Sequence, residues 1–167
     1  MSGLRQGGVV AAALLVAAVL QGRLSHTLAW HGAQPDFVLT TLACGAILAG
    51  GARGAWLGFW AGLLTAALAS QTPGSFLVSR TLAGALAGWL QGSVIQRSPV
   101  VPPLAALATT LAAEAVYGLM APPHHLRAWA GAVGGETVYN TILAFPLYAL
   151  LRRLGVGQAP DDPFARL

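Results

Sequence analysis

Residues 50–64 read GGARGAWLGFWAGLL, a short Gly/Arg turn followed at once by an apolar segment. Glycine recurs there at every fourth position, so these residues share one face of a helix. Six apolar stretches, separated by Gly, Pro and Arg, follow one another along the 167 residues. Because a membrane-crossing helix takes about 20 residues, six of them with short turns use nearly the whole chain. The pattern predicts an all-α polytopic membrane protein with a single domain, residues 1–167.

The composition indicates the same fold class. The chain is 56% hydrophobic and 8% charged, whereas an ordinary globular domain has about 25% charged residues. Its net charge of +4 is carried by arginine, since the chain contains no lysine. On so hydrophobic a chain this excess indicates membrane topology. We expect no nucleic-acid partner, because no basic patch alternates with aromatic side chains that could stack on bases.

Turn residues set the predicted helix boundaries, and arginines set the orientation. The predicted helices cover about residues 7–24, 36–49, 55–70, 76–95, 101–121 and 132–151, and a polar tail covers 155–167. With the N-terminus inside, the arginines on the cytoplasmic side are Arg5, Arg53, Arg97, Arg152, Arg153 and Arg166, and those on the opposite side are Arg23 and Arg127. This positive-inside bias predicts that both termini of the multi-pass protein are cytoplasmic.

Two neighbouring predicted helices carry stripes of glycine with the same spacing. The stripes are Gly50, Gly54, Gly58 and Gly62, and then Gly84, Gly88 and Gly92. In lipid, close packing at small residues drives much of helix association. The stripes therefore predict either that the third and fourth helices pack on each other, or that one glycine face receives the membrane helix of a partner. Ala13, Ala17 and Ala18 form a related small-residue surface on the first helix.

Four charged residues fall within the predicted helices, in the outer half of the membrane. They are Asp36, Arg80, Glu114 and Glu136. A charge facing lipid costs about 2.5–3.5 kcal/mol, so these side chains are expected to face inward, with Glu114 or Glu136 as the partner of Arg80. Two interpretations stay open at this point. The cluster is either an ion-pair network that fixes helix register, or an outward-facing polar pocket for a ligand or a partner loop.

Catalysis and metal binding have little basis in the sequence. No Ser or Cys stands with a His and an acid in a recognisable nucleophilic arrangement. The adjacent His124 and His125 have no nearby Cys or third His to complete a metal site, and Cys44 is the single cysteine. We expect a protein that is not an enzyme and that needs no metal and no cofactor.

The stretch from Pro35 to Gly92 resembles the rod shape-determining MreD family. The resemblance rests on four features: Pro35-Asp36 at the start of an apolar helix, GAWLGFWAGLL at 54–64, a Pro73-Gly74 turn, and AGWLQG at 87–92. The length, the six predicted helices and the basic C-terminal end also look like that family. One departure is Thr65-Ala66, where the family often has an aspartate, so no role of that carboxylate is carried over.

The resemblance implies a non-enzymatic inner-membrane scaffold or regulatory subunit of the bacterial elongation complex. Such proteins bind MreC and, through it, MreB, RodA and a class B penicillin-binding transpeptidase, and they support rod shape and lateral peptidoglycan synthesis. The glycine face would then pack against the membrane helix of MreC, and membrane lipid would surround both proteins.

A second family has a similar layout. Six short helices, small-residue stripes and an outer polar cluster also look like the substrate-binding subunit of an energy-coupling-factor vitamin transporter, and we expect a fold similar to that of such a subunit. A subunit of that kind should show a rich set of polar and aromatic side chains around an outer pocket, and an ordered loop over it.

Overall fold

The computed structural model describes residues 2–69, 73–90 and 100–157. These residues form six helices, α1 (Ser2–Leu24), α2 (Phe37–Ala49), α3 (Gly51–Ala69), α4 (Pro73–Trp89), α5 (Val101–Met120) and α6 (Leu126–Arg153). Within these ranges the only extended pairing is an isolated bridge between Trp30 and Ala33. The all-helical class is therefore confirmed for the described part of the chain. Gly92, Arg97, Arg166 and the predicted end of the fourth helix at 95 lie outside it.

The short helix α2 lies at the centre of the bundle. It packs against each of the other five helices, and every residue from Val38 to Leu48 is buried. Leu39, Leu42 and Ile47 are among its largest buried side chains. A helix that is apolar on all sides is stable only when protein or lipid surrounds it. The other helices therefore form a shell around α2, and α1 makes the fewest contacts with the rest of that shell.

The turn between α2 and α3 differs from the prediction. We expected residues 50–54 to form the turn, but α3 already begins at Gly51. Gly50 reverses the chain direction alone, with φ of 92°, and its N–H donates a 2.8 Å hydrogen bond to the carbonyl of Ala46. Glycine adopts this backbone conformation without the steric cost that a Cβ brings. One such residue is enough, so the glycines after it continue as helix.

The other helix boundaries also differ by a few residues. α1 begins at Ser2 rather than 7, α4 at Pro73 rather than 76, and α6 extends from Leu126 to Arg153 rather than from 132 to 151. The segment 126–131, which precedes the predicted start of the last helix at 132, is thus the first part of α6. Its glycines and alanines remain helical because no proline follows until Pro146.

Two described helices are long and apolar enough to cross a membrane, Gly3–Leu24 and Val101–Met120. α2 has 13 residues and α4 has 17, fewer than the roughly 20 that a bilayer requires. α3 and α6 are longer, but glycine, arginine and polar residues dilute their apolar character. Membrane crossing by all six helices therefore stays a prediction.

The two glycine stripes face each other across the α3–α4 interface, which is the most extensive in the bundle. We call Gly54, Gly58, Gly62, Gly84 and Gly88 the glycine seam. A Cβ at Gly62 would lie 2.7 Å from the carbonyl oxygen of Phe76, and one at Gly88 would lie 2.6 Å from the carbonyl oxygen of Gly50. These distances are shorter than atomic contacts allow. The seam is therefore filled by backbone, and a partner helix would have to dock elsewhere.

Candidate functional site

The N-terminus of α2 lies inside the bundle, and side chains satisfy its backbone donors. The Asp36 Oδ1 accepts a 2.8 Å hydrogen bond from the Leu39 N–H, which is the usual N-cap arrangement. The Phe37 N–H donates to Gln21 Oε1 at 2.7 Å, and the Asp36 N–H donates to Asn140 Oδ1 at 3.0 Å. Since an unpaired buried N–H is costly, these three contacts allow α2 to begin within the protein.

Arg80 links α4 to two other elements at this point. Its Nη2 donates to Asp36 Oδ2 at 2.9 Å, and its Nη1 donates to Glu114 Oε1 at 2.9 Å. The three side chains are at most 10% exposed. The planar guanidinium can hold two carboxylates at once, which a lysine ammonium on its flexible stem does less precisely. Arg80 therefore ties the start of α2, α4 and α5 together through one side chain.

Of the two partners expected for Arg80, the structure places Glu114 in contact and leaves Glu136 out of both salt bridges of the described residues. Asp36 is the second partner, which the sequence did not indicate. Glu136 Oε1 accepts a 3.4 Å hydrogen bond from Asn140 Nδ2. The four residues, which we call the polar cluster, are thus brought to one place by four different elements.

Asn140 connects the cluster to α5 and α6, and sequence reasoning missed it. It is fully buried, and its Nδ2 also donates to Thr110 Oγ1 at 3.1 Å. Every polar atom of its amide has a partner, which is the condition for a buried amide to be stable. The asparagine one turn after Glu136 on α6 was the available signal, as was Gln21 near the end of α1.

A cavity of about 540 Å³ opens beside the polar cluster. All four cluster residues line it, together with Gln21, His26, Thr65 and the rings of Phe76 and Tyr117. The two ring centroids are 4.7 Å apart, and the Arg80 guanidinium carbon lies 5.6 Å from the Phe76 centroid. The cavity has polar and aromatic walls, so its lining suits a small polar molecule or a side chain of a partner.

The charges of the cluster do not balance. Three carboxyl groups and one guanidinium line the cavity together, and two of the carboxyl groups contact the guanidinium. Since acidic groups outnumber the basic one, the wall offers more hydrogen-bond acceptors to a donor-bearing group than donors to an anion. Within the described ranges, no group of three His, Cys, Asp or Glu residues is arranged to hold a metal ion.

The remaining predicted feature is the small-residue surface of α1. Ala17 and Ala18 are buried in the main core, and Ala13 packs against a second core cluster. Ala13 and Ala17 also line an apolar groove of about 580 Å³ between α1 and α6, with α2 as its floor.

No family model matches the chain, and neither a curated protein nor a solved structure matches it. The resemblance to the MreD family therefore rests on the residues between Pro35 and Gly92 that carry it.

Proposed function

We propose that this protein is a non-enzymatic scaffold or regulatory subunit in the inner membrane of a bacterium, similar to MreD, and that it binds MreC in the elongation complex. The sequence resemblance between Pro35 and Gly92 supports the proposal, as do the helical bundle and its two helices of membrane-crossing length. The observation that carries it is the apolar groove between α1 and α6.

This groove has the properties that a single membrane helix of a partner requires. Its walls are Val9, Ala12, Ala13, Val16, Ala17 and Leu20 from α1, and Leu143, Pro146, Leu147, Leu150 and Leu151 from α6. The α1 wall contains small residues, which let another backbone approach closely. Within the bundle α1 packs mainly on α2, so the side of α1 toward α6 is left for another occupant. MreC would place its membrane helix there instead of on the glycine seam.

The test compares two substitutions on neighbouring residues of α1. Val16 and Leu15 are both 59% exposed, but only Val16 lines the groove. Tagged variants would be purified in mild detergent after co-expression with MreC. We expect Val16→Trp to lower MreC recovery at least tenfold, and Leu15→Trp to leave it within twofold of the unmodified chain.

The outcomes separate the function from the docking site. If the unmodified chain does not retain MreC, the proposed function is wrong. If it retains MreC and Val16→Trp does so equally well, the function stands and the α1–α6 groove is not the docking site.

A second candidate function is supported by the polar cavity. A volume of about 540 Å³ lined by carboxylates and aromatic rings is within the range of small-molecule sites. It is what a substrate-binding subunit of an energy-coupling-factor vitamin transporter needs. Recovery of an ATPase pair and a membrane coupling protein in the same purification, in place of MreC, would support this function.

A further inference from the structure

Another, smaller cavity lies between the N-terminal part of α1 and the start of α3. It has a volume of about 350 Å³, and its walls include Gly7 and Val10 of α1 and Arg53, Trp56 and Trp60 of α3. The glycine seam and the polar cluster do not line it. Its lining combines one positive charge with aromatic and aliphatic surface.

The residues of the α3 wall follow one another along the helix axis. Arg53, Trp56 and Trp60 follow at intervals of three and four residues, so they lie on one face of α3. From Arg53 to Trp60 the helix rises about 10 Å. Both indoles are largely exposed, Trp56 at 66% and Trp60 at 54%. In membrane proteins, exposed tryptophans concentrate at the boundary between headgroups and hydrocarbon. Arg53 lies at the end of this face that the predicted topology assigns to the cytoplasmic side.

The α1 wall provides open space. A Cβ built at Gly7 would meet no atom within 4 Å, and Gly7 is exposed. Arg53 is exposed as well, and it takes part in no salt bridge of the described residues. An anionic group at the cavity mouth would therefore meet a cation that no carboxylate of the described residues neutralises.

We propose that this cavity binds an anionic phospholipid. The phosphate diester contacts Arg53 at the mouth, and an acyl chain lies against Trp56, Trp60 and Val10 in the space next to Gly7. Free phosphate shares the headgroup chemistry, but it would leave the apolar walls unoccupied. The proposal goes beyond MreC binding and depends only on the membrane location proposed above.

The experiment uses the full chain in nanodiscs of phosphatidylcholine and phosphatidylglycerol at a ratio of three to one. Native mass spectrometry after release from the nanodisc measures how much phosphatidylglycerol the protein retains. Arg53→Gln is expected to lower this retention about fivefold, the effect of one basic side chain near an anionic lipid surface. The matched control is Arg5→Gln, because Arg5 is exposed near the same end of the bundle but does not line the cavity.

A second pair of variants tests the space rather than the charge. Gly7→Leu fills the cavity, whereas Gly8→Leu adds the same side chain at an exposed position outside it, where a Cβ also meets nothing within 4 Å. Both changes favour helix formation, so neither should unfold α1. We expect Gly7→Leu to remove the retained lipid and Gly8→Leu to keep it.

Three results would overturn the proposal. The first is equal lipid retention by the unmodified chain, Arg53→Gln and Gly7→Leu, which is also the result expected if a partner protein rather than lipid covers this face. The second is displacement of the lipid by millimolar inorganic phosphate. The third is failure of the chain to enter nanodiscs at all, which would also overturn the membrane location, whereas the first two would leave it standing.

Discussion

Replacing Arg80 with glutamine should be among the most damaging single substitutions in this protein. The change leaves the carboxylates of Asp36 and Glu114 buried, without the cation that each contacts at 2.9 Å. Breaking a buried ion pair by removing one partner costs about 3–5 kcal/mol. In a chain of this length each kcal/mol lowers the melting temperature by about 2–4 °C. We therefore expect Arg80→Gln to melt about 6–20 °C below the unmodified protein.

The assay is thermal unfolding in mild detergent, followed by tryptophan fluorescence and by the loss of the monodisperse peak in size-exclusion chromatography. Two further variants separate charge from shape. Arg80→Lys keeps the positive charge but loses the planar fork, so its melting temperature should fall between those of Arg80→Gln and the unmodified chain. Combining Arg80→Gln with Asp36→Asn and Glu114→Gln removes the uncompensated charges, so the triple variant should be more stable than Arg80→Gln alone.

Two results would refute this reasoning. One is an Arg80→Gln protein that melts within about 2 °C of the unmodified chain. Such a shift is smaller than the one expected from a loss of about 1 kcal/mol. The other is a triple variant that is less stable than Arg80→Gln. The second result would mean that the hydrogen bonds, rather than the buried charges, dominate the energy of the cluster.

Three other predictions concern packing and topology. Gly62→Ala should lower the melting temperature, because its Cβ would lie 2.7 Å from a backbone oxygen of α4 and overpacking costs about 1–3 kcal/mol. The control is Gly74→Ala, which should leave the melting temperature unchanged because a Cβ there meets nothing within 4 Å. Cys44 is fully buried, so maleimide should label it only after denaturation in detergent such as dodecyl sulfate. In a Cys44→Ala background, His124→Cys should react with a membrane-impermeant maleimide added outside the cell, and Leu4→Cys should react only in inverted vesicles. Reaction of both from the same side would contradict the predicted topology.

The sequence predicted the helices better than their ends, and the reason is visible at Gly50. Glycine-rich stretches have low helix propensity, so residues 50–54 were interpreted as a turn. In the folded bundle α3 must approach α4 closely from its first turn, and a Cβ at Gly54 would lie 3.1 Å from the Cα of Gly88. Tertiary packing therefore stabilises helix where local propensity does not favour it.

The inward orientation of Arg80 was predictable, but its full set of partners was not. The cost of a charge in lipid predicts that a membrane-embedded arginine pairs with a carboxylate, and one of the two candidates, Glu114, is in contact. Asp36 is 44 residues away in sequence. The sequence analysis placed it among the four inward-facing charged residues but did not name it as a partner of Arg80. Whether an N-cap carboxylate also meets an arginine on another helix depends on where α2 begins within the bundle, which no local pattern specifies.

The glycine seam and the polar cluster are parts of one arrangement. A Cβ at Gly58 would overlap the backbone of Arg80 and would lie 2.8 Å from the Cα of Thr81. The distance between α3 and α4 at this level therefore sets how deeply the Arg80 guanidinium reaches toward α2 and α5. Because Arg80 bonds two carboxylates at 2.9 Å each, a shift of α4 by about 1 Å away from both α2 and α5 would lengthen both contacts beyond good hydrogen-bond geometry. The spacing Arg80–Gly84–Gly88 thus encodes both the approach of two helices and the position of the charge that joins α4 to α5 and to the start of α2 beside the cavity.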